Sequence, residues 1–126
     1  MAKDSWWGVD LDGTLAFNEH TQGRTIGAPV PRMLERVKGW IAKGRRVKIM
    51  TARVGKHEGE TDEDRARIRK EIEDWTEEFV GTRLEVTNEK DYKMIQLWDD
   101  RAIQVIADTG IPVRVKEEDK ISSKRL

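Results

Sequence analysis

The sequence predicts an α/β fold in which a mostly parallel sheet of five strands is covered by helices on both faces, giving three layers. Short apolar, β-rich segments alternate with longer segments whose apolar residues recur at helical spacing. This alternation is typical of doubly wound parallel sheets. Ligands of such sheets bind at the carboxyl ends of the strands, so polar residues that follow a strand are candidates for the site.

The first half of the chain predicts two strands and one helix. The apolar run Trp6–Val9 predicts the first strand, and residues 16–29 predict a surface loop. A helix is expected to begin near Pro31, since proline suits a first turn, and to end near Lys43 at the following glycine. The short β-rich segment Val47–Met50 predicts the second strand.

The second half predicts one long helix and three short strands. Thr61 with Asp64 resembles a capping box, and apolar residues then recur at helical spacing until Gly81 ends the pattern. The predicted strands that follow are Leu84–Val86, Ile95–Trp98 and Ile103–Ile106.

Composition limits the class of protein. A chain of 126 residues fits one domain, with a core at about residues 5–112 and a charged tail at 116–126. The absence of cysteine excludes disulfides and thiolate metal sites and is compatible with the cytoplasm. The 24 basic and 24 acidic residues argue against a broad cationic surface for nucleic acid or membrane. No apolar run approaches the roughly 20 residues that span a bilayer.

Two carboxylates directly follow the first predicted strand. Asp10 and Asp12 at the end of a buried strand would repel each other and lose hydration, so their placement indicates a cation or a chemical task. Mg²⁺ prefers such oxygen ligands. Thr51 follows the second strand, and Asp99 and Asp100 follow the fourth. These residue types predict a phosphoryl-transfer site with Asp10 as nucleophile and Asp12 as general acid and base.

These residues resemble the four motifs of the haloacid dehalogenase superfamily of aspartate-nucleophile phosphatases. The motifs read Asp10–Leu15, then Thr51, then a lysine, then Asp99–Asp100. The resemblance implies a Mg²⁺-dependent phosphomonoesterase with a Rossmann-like core. It also implies that Thr51 contacts the phosphoryl group, and that the metal ligands are Asp10, the Asp12 carbonyl and Asp99 or Asp100.

The resemblance leaves the lysine open between two residues. Lys90 directly follows the third predicted strand and is favoured as the catalytic-site lysine, while Lys93 is the alternative. Neither gap between motifs leaves room for a cap domain, so an open site is expected. The layout is also similar to the phosphatase domain of polynucleotide kinase-phosphatases, whose arginine after the second strand matches Arg53. Arg53, Lys93 and Thr14 are therefore the candidate substrate-binding residues.

The expected partner is a phosphorylated small molecule or a nucleic-acid end, and the sequence predicts no oligomeric state. Trp40, Trp75 and Trp98 are expected in the core rather than as base-stacking residues, and His20 and His57 as solvated loop residues. Two rival functions remain. One is a receiver-like signalling module that forms a long-lived phospho-aspartate, and the other is a binding protein that keeps the fold without turnover.

Overall fold

The computed structural model describes residues 4–18 and 25–113 and has an α/β architecture. Four parallel strands form one sheet in the order β3-β2-β1-β4. The strands are β1 Trp6–Val9, β2 Arg46–Met50, β3 Glu85–Thr87 and β4 Met94–Trp98. The α/β class and the parallel sheet were predicted correctly.

Both α-helices follow the sequence signals closely. Helix α1 spans Pro31–Ala42, with its proline in the first turn. Helix α2 spans Asp62–Val80 and begins with the capping box of Thr61 and Asp64. It ends at Gly81, which adopts the left-handed conformation with φ of 95° that a side chain would strain. None of the helices in the described part of the chain is long and apolar enough to cross a membrane.

One face of the sheet packs against both helices and forms the core. Trp7 and Val9 of β1 face the helices together with Val47 and Ile49 of β2, as the parallel register requires. Trp40 of α1 packs against Trp7 and Trp98, with ring centroids 5.0 and 5.3 Å apart. Trp40 and Trp75 are buried, which confirms their predicted packing role.

The opposite face is covered differently. Trp6 lies across Gly8, so that a Cβ on Gly8 would come within 3.0 Å of the indole ring. The Trp6 Nε1–H donates to Asp91 Oδ1 at 2.9 Å, and the Lys48 Nζ lies 4.5 Å from the ring centroid. Trp6 is only 1% exposed. Among the described residues, the Trp6 indole and the connection that carries Asp91 cover this face of the sheet. The second helical layer that was predicted there is not found in that part of the chain.

The prediction of a fifth strand at Ile103–Ile106 was wrong. This segment lies outside the sheet and folds back on its own continuation, with an isolated antiparallel bridge between Val105 and Pro112. The Ile106 N–H donates to the Ile111 carbonyl at 2.7 Å. Ile103 is 76% exposed, so within residues 4–18 and 25–113 the apolar side chains that suggested a strand have no layer to pack against. The predicted tail at 116–126 lies outside the described residues.

Candidate active site

The carboxyl ends of the strands bring the predicted site residues to one edge of the sheet. β1 lies between β2 and β4, so the residues after β1 are flanked by those after the two neighbouring strands. A cavity of about 450 Å³ opens at this edge. It is lined by Asp10, Asp12, Asn18, Met50, Thr51, Ala52, Arg53, Asn88, Leu97, Asp99 and Arg101.

A tight loop fixes the two carboxylates that follow β1. Leu11 and Leu15 are fully buried and anchor the loop in the core. The Ala16 N–H donates to the Leu11 carbonyl at 2.9 Å, and the Gly13 N–H donates to the Ala16 carbonyl at 2.8 Å. The alternation of apolar and acidic residues from position 9 to 12 therefore directs Asp10 and Asp12 toward the cavity while the leucines hold the backbone.

Three carboxylates converge at the junction of β1 and β4. Oxygens of Asp10, Asp99 and Asp100 all lie within 4.8 Å of one another. Burial raises the pKa of Asp10 to about 7, and the negative charge of Asp99 and a hydrogen bond and charge from Asp100 add to this effect. The Leu11 N–H acts in the opposite direction. A carboxylate held so close to like charges is a favourable ligand for a divalent cation.

Gly13 and Thr14 shape this acidic cluster. Gly13 has a φ of 87°, and a Cβ there would come within 2.4 Å of Asp100 Oδ2, so only glycine lets the carboxylate approach the loop. The Thr14 hydroxyl lies 3.5 Å from Asp10 Oδ2 and 3.4 Å from Asp100 Oδ1. In this structure Thr14, a predicted substrate-binding residue, is directed at the carboxylates.

The end of β2 supplies a hydroxyl and a cation. Thr51 is buried, with 4% exposure, and its Oγ1 accepts from the Arg53 N–H at 3.2 Å, which caps a short 3₁₀ helix at Ala52–Val54. The Arg53 side chain forms a side-on pair with Asp12. Its Nε–H donates to Oδ2 at 2.7 Å and its Nη2–H to Oδ1 at 2.6 Å.

The residues fit a divalent cation at the acidic cluster of Asp10, Asp99 and Asp100, to which the Asp12 carboxylate does not belong. Three carboxylates from two adjacent strand ends provide the hard oxygen ligands that Mg²⁺ requires. The pKa of Asp10 is raised first by burial and then by the charges of Asp99 and Asp100, and a bound cation would favour the ionised carboxylate against all of these effects. Both side-chain oxygens of Asp12 face Arg53 instead, so the Asp12 carboxylate contributes nothing to this cluster.

The two candidate lysines occupy different positions. Lys93 lies at the start of β4, where its Nζ is 3.4 Å from Asp4 Oδ2 and its carbonyl accepts from the Trp6 N–H. This is the opposite end of the sheet from Asp10, so the structure does not bring Lys93 to the cavity. Lys90 is exposed on the connection between β3 and β4 and lies outside the cavity lining.

Three further polar residues that the sequence did not single out as functional line the cavity: Asn18, Asn88 and Arg101. Asn88 is the first residue after β3, so its place at a strand end was a usable signal. Arg101 follows the acidic pair, and its backbone N–H donates to Asp99 Oδ1 at 2.7 Å. His57 is exposed, with its Nε2 2.6 Å from the Ala52 carbonyl, and His20 lies outside the described residues.

A comparison of the chain with protein-family models, with curated proteins and with solved structures found no match. The likeness to the haloacid dehalogenase superfamily therefore depends on the motif positions alone. Of those positions, Asp10, Asp12, Thr51 and Asp99 line one cavity, and Asp100 joins Asp10 and Asp99 in the acidic cluster.

Proposed function

We propose that this protein is a Mg²⁺-dependent phosphomonoester hydrolase of the haloacid dehalogenase type, with a Rossmann-like core and no cap domain. The observation that carries the proposal is the convergence of three strand ends on one cavity. Asp10 and Asp99 provide carboxylates there, Thr51 a hydroxyl and Arg53 a guanidinium. The parallel strand order supports the Rossmann-like assignment.

The proposed reaction has two steps, both centred on Asp10. An Asp10 oxygen attacks phosphorus in line with the leaving oxygen, the bond between phosphorus and that oxygen breaks, and Asp12 gives the leaving oxygen a proton. In the second step Asp12 takes a proton from water. The water oxygen then attacks phosphorus, and inorganic phosphate leaves Asp10.

The other groups orient and neutralise the phosphoryl group. The Thr51 hydroxyl and the Arg53 guanidinium are suited to hydrogen-bond its oxygens. Asp10, Asp99 and Asp100 would hold Mg²⁺. When bound, Mg²⁺ would offset the negative charge of these carboxylates and of the transferring group. Lys90 would have to turn toward the cavity to take part, whereas Arg101 already lines it.

A phosphate-release assay tests the proposal. The purified chain is given sugar phosphates, nucleotides and 3′-phosphorylated oligonucleotides, with Mg²⁺ or with a chelator. We expect release with at least one substrate, loss of release with the chelator, and loss in Asp10→Asn. Activity that is unchanged in Asp10→Asn would overturn the mechanism.

Two other results would support the rival functions. A phosphoenzyme that persists for minutes would support the receiver-like module, because Asp12 should accelerate hydrolysis of the intermediate. Binding of phosphomonoesters with no turnover of any of them would support the binding protein. Lys90→Ala tests whether the exposed lysine contributes, with Lys93→Ala as its matched control at the other end of the sheet.

A further inference from the structure

Arg53 and Asp12 form a side-on ion pair at the candidate site. Both Asp12 oxygens accept from the guanidinium, at 2.6 and 2.7 Å. The two side chains are 11% and 29% exposed, so the pair is largely shielded from water. Arg53 Nη2 also donates to the Thr25 carbonyl at 2.7 Å, which ties the pair to the chain segment before α1.

This geometry conflicts with proton transfer by Asp12. A carboxyl group that protonates a leaving oxygen needs one of its own oxygens free to carry the proton and face the substrate. Here each oxygen already accepts a hydrogen bond from the guanidinium, so a proton carried by Asp12 competes with the closed pair. Opening of the pair would therefore free Asp12 for its part in the proposed reaction.

The substrate itself has the chemistry to open the pair. A guanidinium fork binds phosphate oxygens with the same side-on geometry that it uses for a carboxylate. Arg53 lines the cavity beside Thr51, and one Nε–Nη2 edge cannot hold a carboxylate and a phosphoryl group together. The Arg53 backbone is held by the Thr51 hydroxyl, so the side chain can change partner without movement of the strand end.

We propose that Arg53 is a substrate-responsive latch on Asp12, so that a phosphoryl group entering the cavity draws the guanidinium from Asp12 and frees that carboxyl for proton transfer. The inference rests on the proposed hydrolase function for the role of Asp12. It assigns Arg53 two alternating partners, and it makes the general acid available only when a phosphoryl group is present.

The direct test follows the Arg53 Nε–H signal by NMR in Asp10→Asn, which cannot form the covalent intermediate. Inorganic phosphate is added with Mg²⁺ present. The latch predicts a saturable change of the Arg53 Nε–H signal and of the Asp12 carboxyl ¹³C signal. The Arg46 Nε–H, which donates to Glu85 at 2.9 Å far from the cavity, should stay unchanged and serves as the internal control. Phosphate saturation with no change at Arg53 or Asp12 would overturn the latch.

A kinetic test separates the latch from a static support, in which Arg53 only holds Asp12 in place and never changes partner. In Arg53→Gln the latch predicts a KM higher by on the order of 10- to 100-fold with kcat retained within a few-fold, because the phosphoryl group loses its partner while Asp12 is free. A static support predicts an unchanged KM and a kcat that falls mainly for alkyl phosphates, and this result would overturn the latch. Arg46→Lys is the matched control for loss of a fork elsewhere.

The two proposals fail in different ways. A wild-type chain that hydrolyses no phosphomonoester, yet shows the phosphate-dependent change at Arg53 and Asp12, would reject the hydrolase function and keep the exchange of partners. Hydrolysis together with an unresponsive Arg53 would keep the function and reject the latch. The NMR test needs no Arg53 variant, so a variant that fails to fold would not remove it.

Discussion

Asp10 and Asp12 stand one residue apart on the same loop, yet their carboxylates have opposite electrostatic surroundings. Asp10 lies with Asp99 and Asp100, and its pKa is raised to about 7. Asp12 lies against Arg53 in a side-on pair. The sheet order explains the difference, because β4 contributes acids on one side of β1 and β2 contributes a cation on the other.

The contrast teaches that a motif of two like residues need not form one functional unit. Neighbours from other strands decide which carboxylate is repelled by like charge and which is paired. Around Asp10, repulsion between neighbouring carboxylates favours binding of a cation. Around Asp12, the ion pair with Arg53 restricts when the carboxylate can transfer a proton. Asp10 and Asp12 are close in sequence, but Arg53 lies 41 residues beyond Asp12 and Asp99 lies 89 residues beyond Asp10, each on a different neighbouring strand end.

The largest expected difference between the two carboxylates is in turnover. Asp10→Asn should lower phosphate release by at least roughly 10⁴-fold for every substrate, because no nucleophile remains. Asp12→Asn should still form a phosphoenzyme with p-nitrophenyl phosphate, since that leaving group departs without a proton, and should fail with alkyl phosphates. Acid-quenched protein analysed by mass spectrometry detects the intermediate. If Asp12→Asn lost turnover equally with p-nitrophenyl phosphate and with alkyl phosphates, Asp12 would not be the group that protonates the leaving oxygen.

The second-largest expected effect is the pH dependence of the free energy of unfolding in the absence of metal. The folded pKa of Asp10, about 7, lies above its ordinary 3.8, so the folded state retains a proton that the unfolded chain releases. The free energy of unfolding should therefore fall as pH rises through this range and level off above it. After allowance for solvent screening, Asp10 should contribute roughly 1–2 kcal/mol of this fall. Urea unfolding of the wild type and Asp10→Asn at several pH values measures the difference.

Mg²⁺ provides the control for this stability effect. Its ligands must be deprotonated, so Mg²⁺ should stabilise the wild type more at alkaline than at acidic pH, and Asp10→Asn less at both. A wild type whose stability does not fall relative to Asp10→Asn as pH rises would contradict the crowded environment of Asp10.

The smallest expected effect is the change in the pKa of Asp10 when one neighbouring carboxylate is removed. Asp99→Asn removes a like charge and should lower the pKa of Asp10 by on the order of one unit. Asp12→Asn should change that pKa less, because the Asp12 charge is paired with Arg53. Titration of the Asp10 carboxyl signal by NMR measures both. A larger effect of Asp12→Asn would mean that the two sides are not electrically separate.

The sequence predicted best what depends on local chemistry. The capping box at Thr61 and the left-handed Gly81 define α2, and the polar residues after β1, β2 and β4 meet at one edge because parallel strands end together. The fifth strand failed because apolar composition does not specify a packing surface, and Ile103–Ile106 found its partner in its own continuation. Lys93 lies outside the cavity because it precedes β4, and a strand carries the residues before and after it to opposite edges of the sheet. The partner of Arg53 is tertiary information that no local pattern contains.

The indole of Trp6 across Gly8 has a consequence for how this sequence can vary. A Cβ at position 8 would come within 3.0 Å of the Trp6 ring and 3.2 Å of Leu97 Cδ1. Residues two positions apart on a strand lie on the same face of the sheet, so the Trp6 ring fills the space that a side chain at position 8 would need. A side chain at position 8 would therefore have to displace the Trp6 ring, whose Nε1–H donates to Asp91. Substitutions at positions 6 and 8 should therefore depend on each other. They should also depend on the connection between β3 and β4, because Asp91 in that connection accepts the Trp6 hydrogen bond.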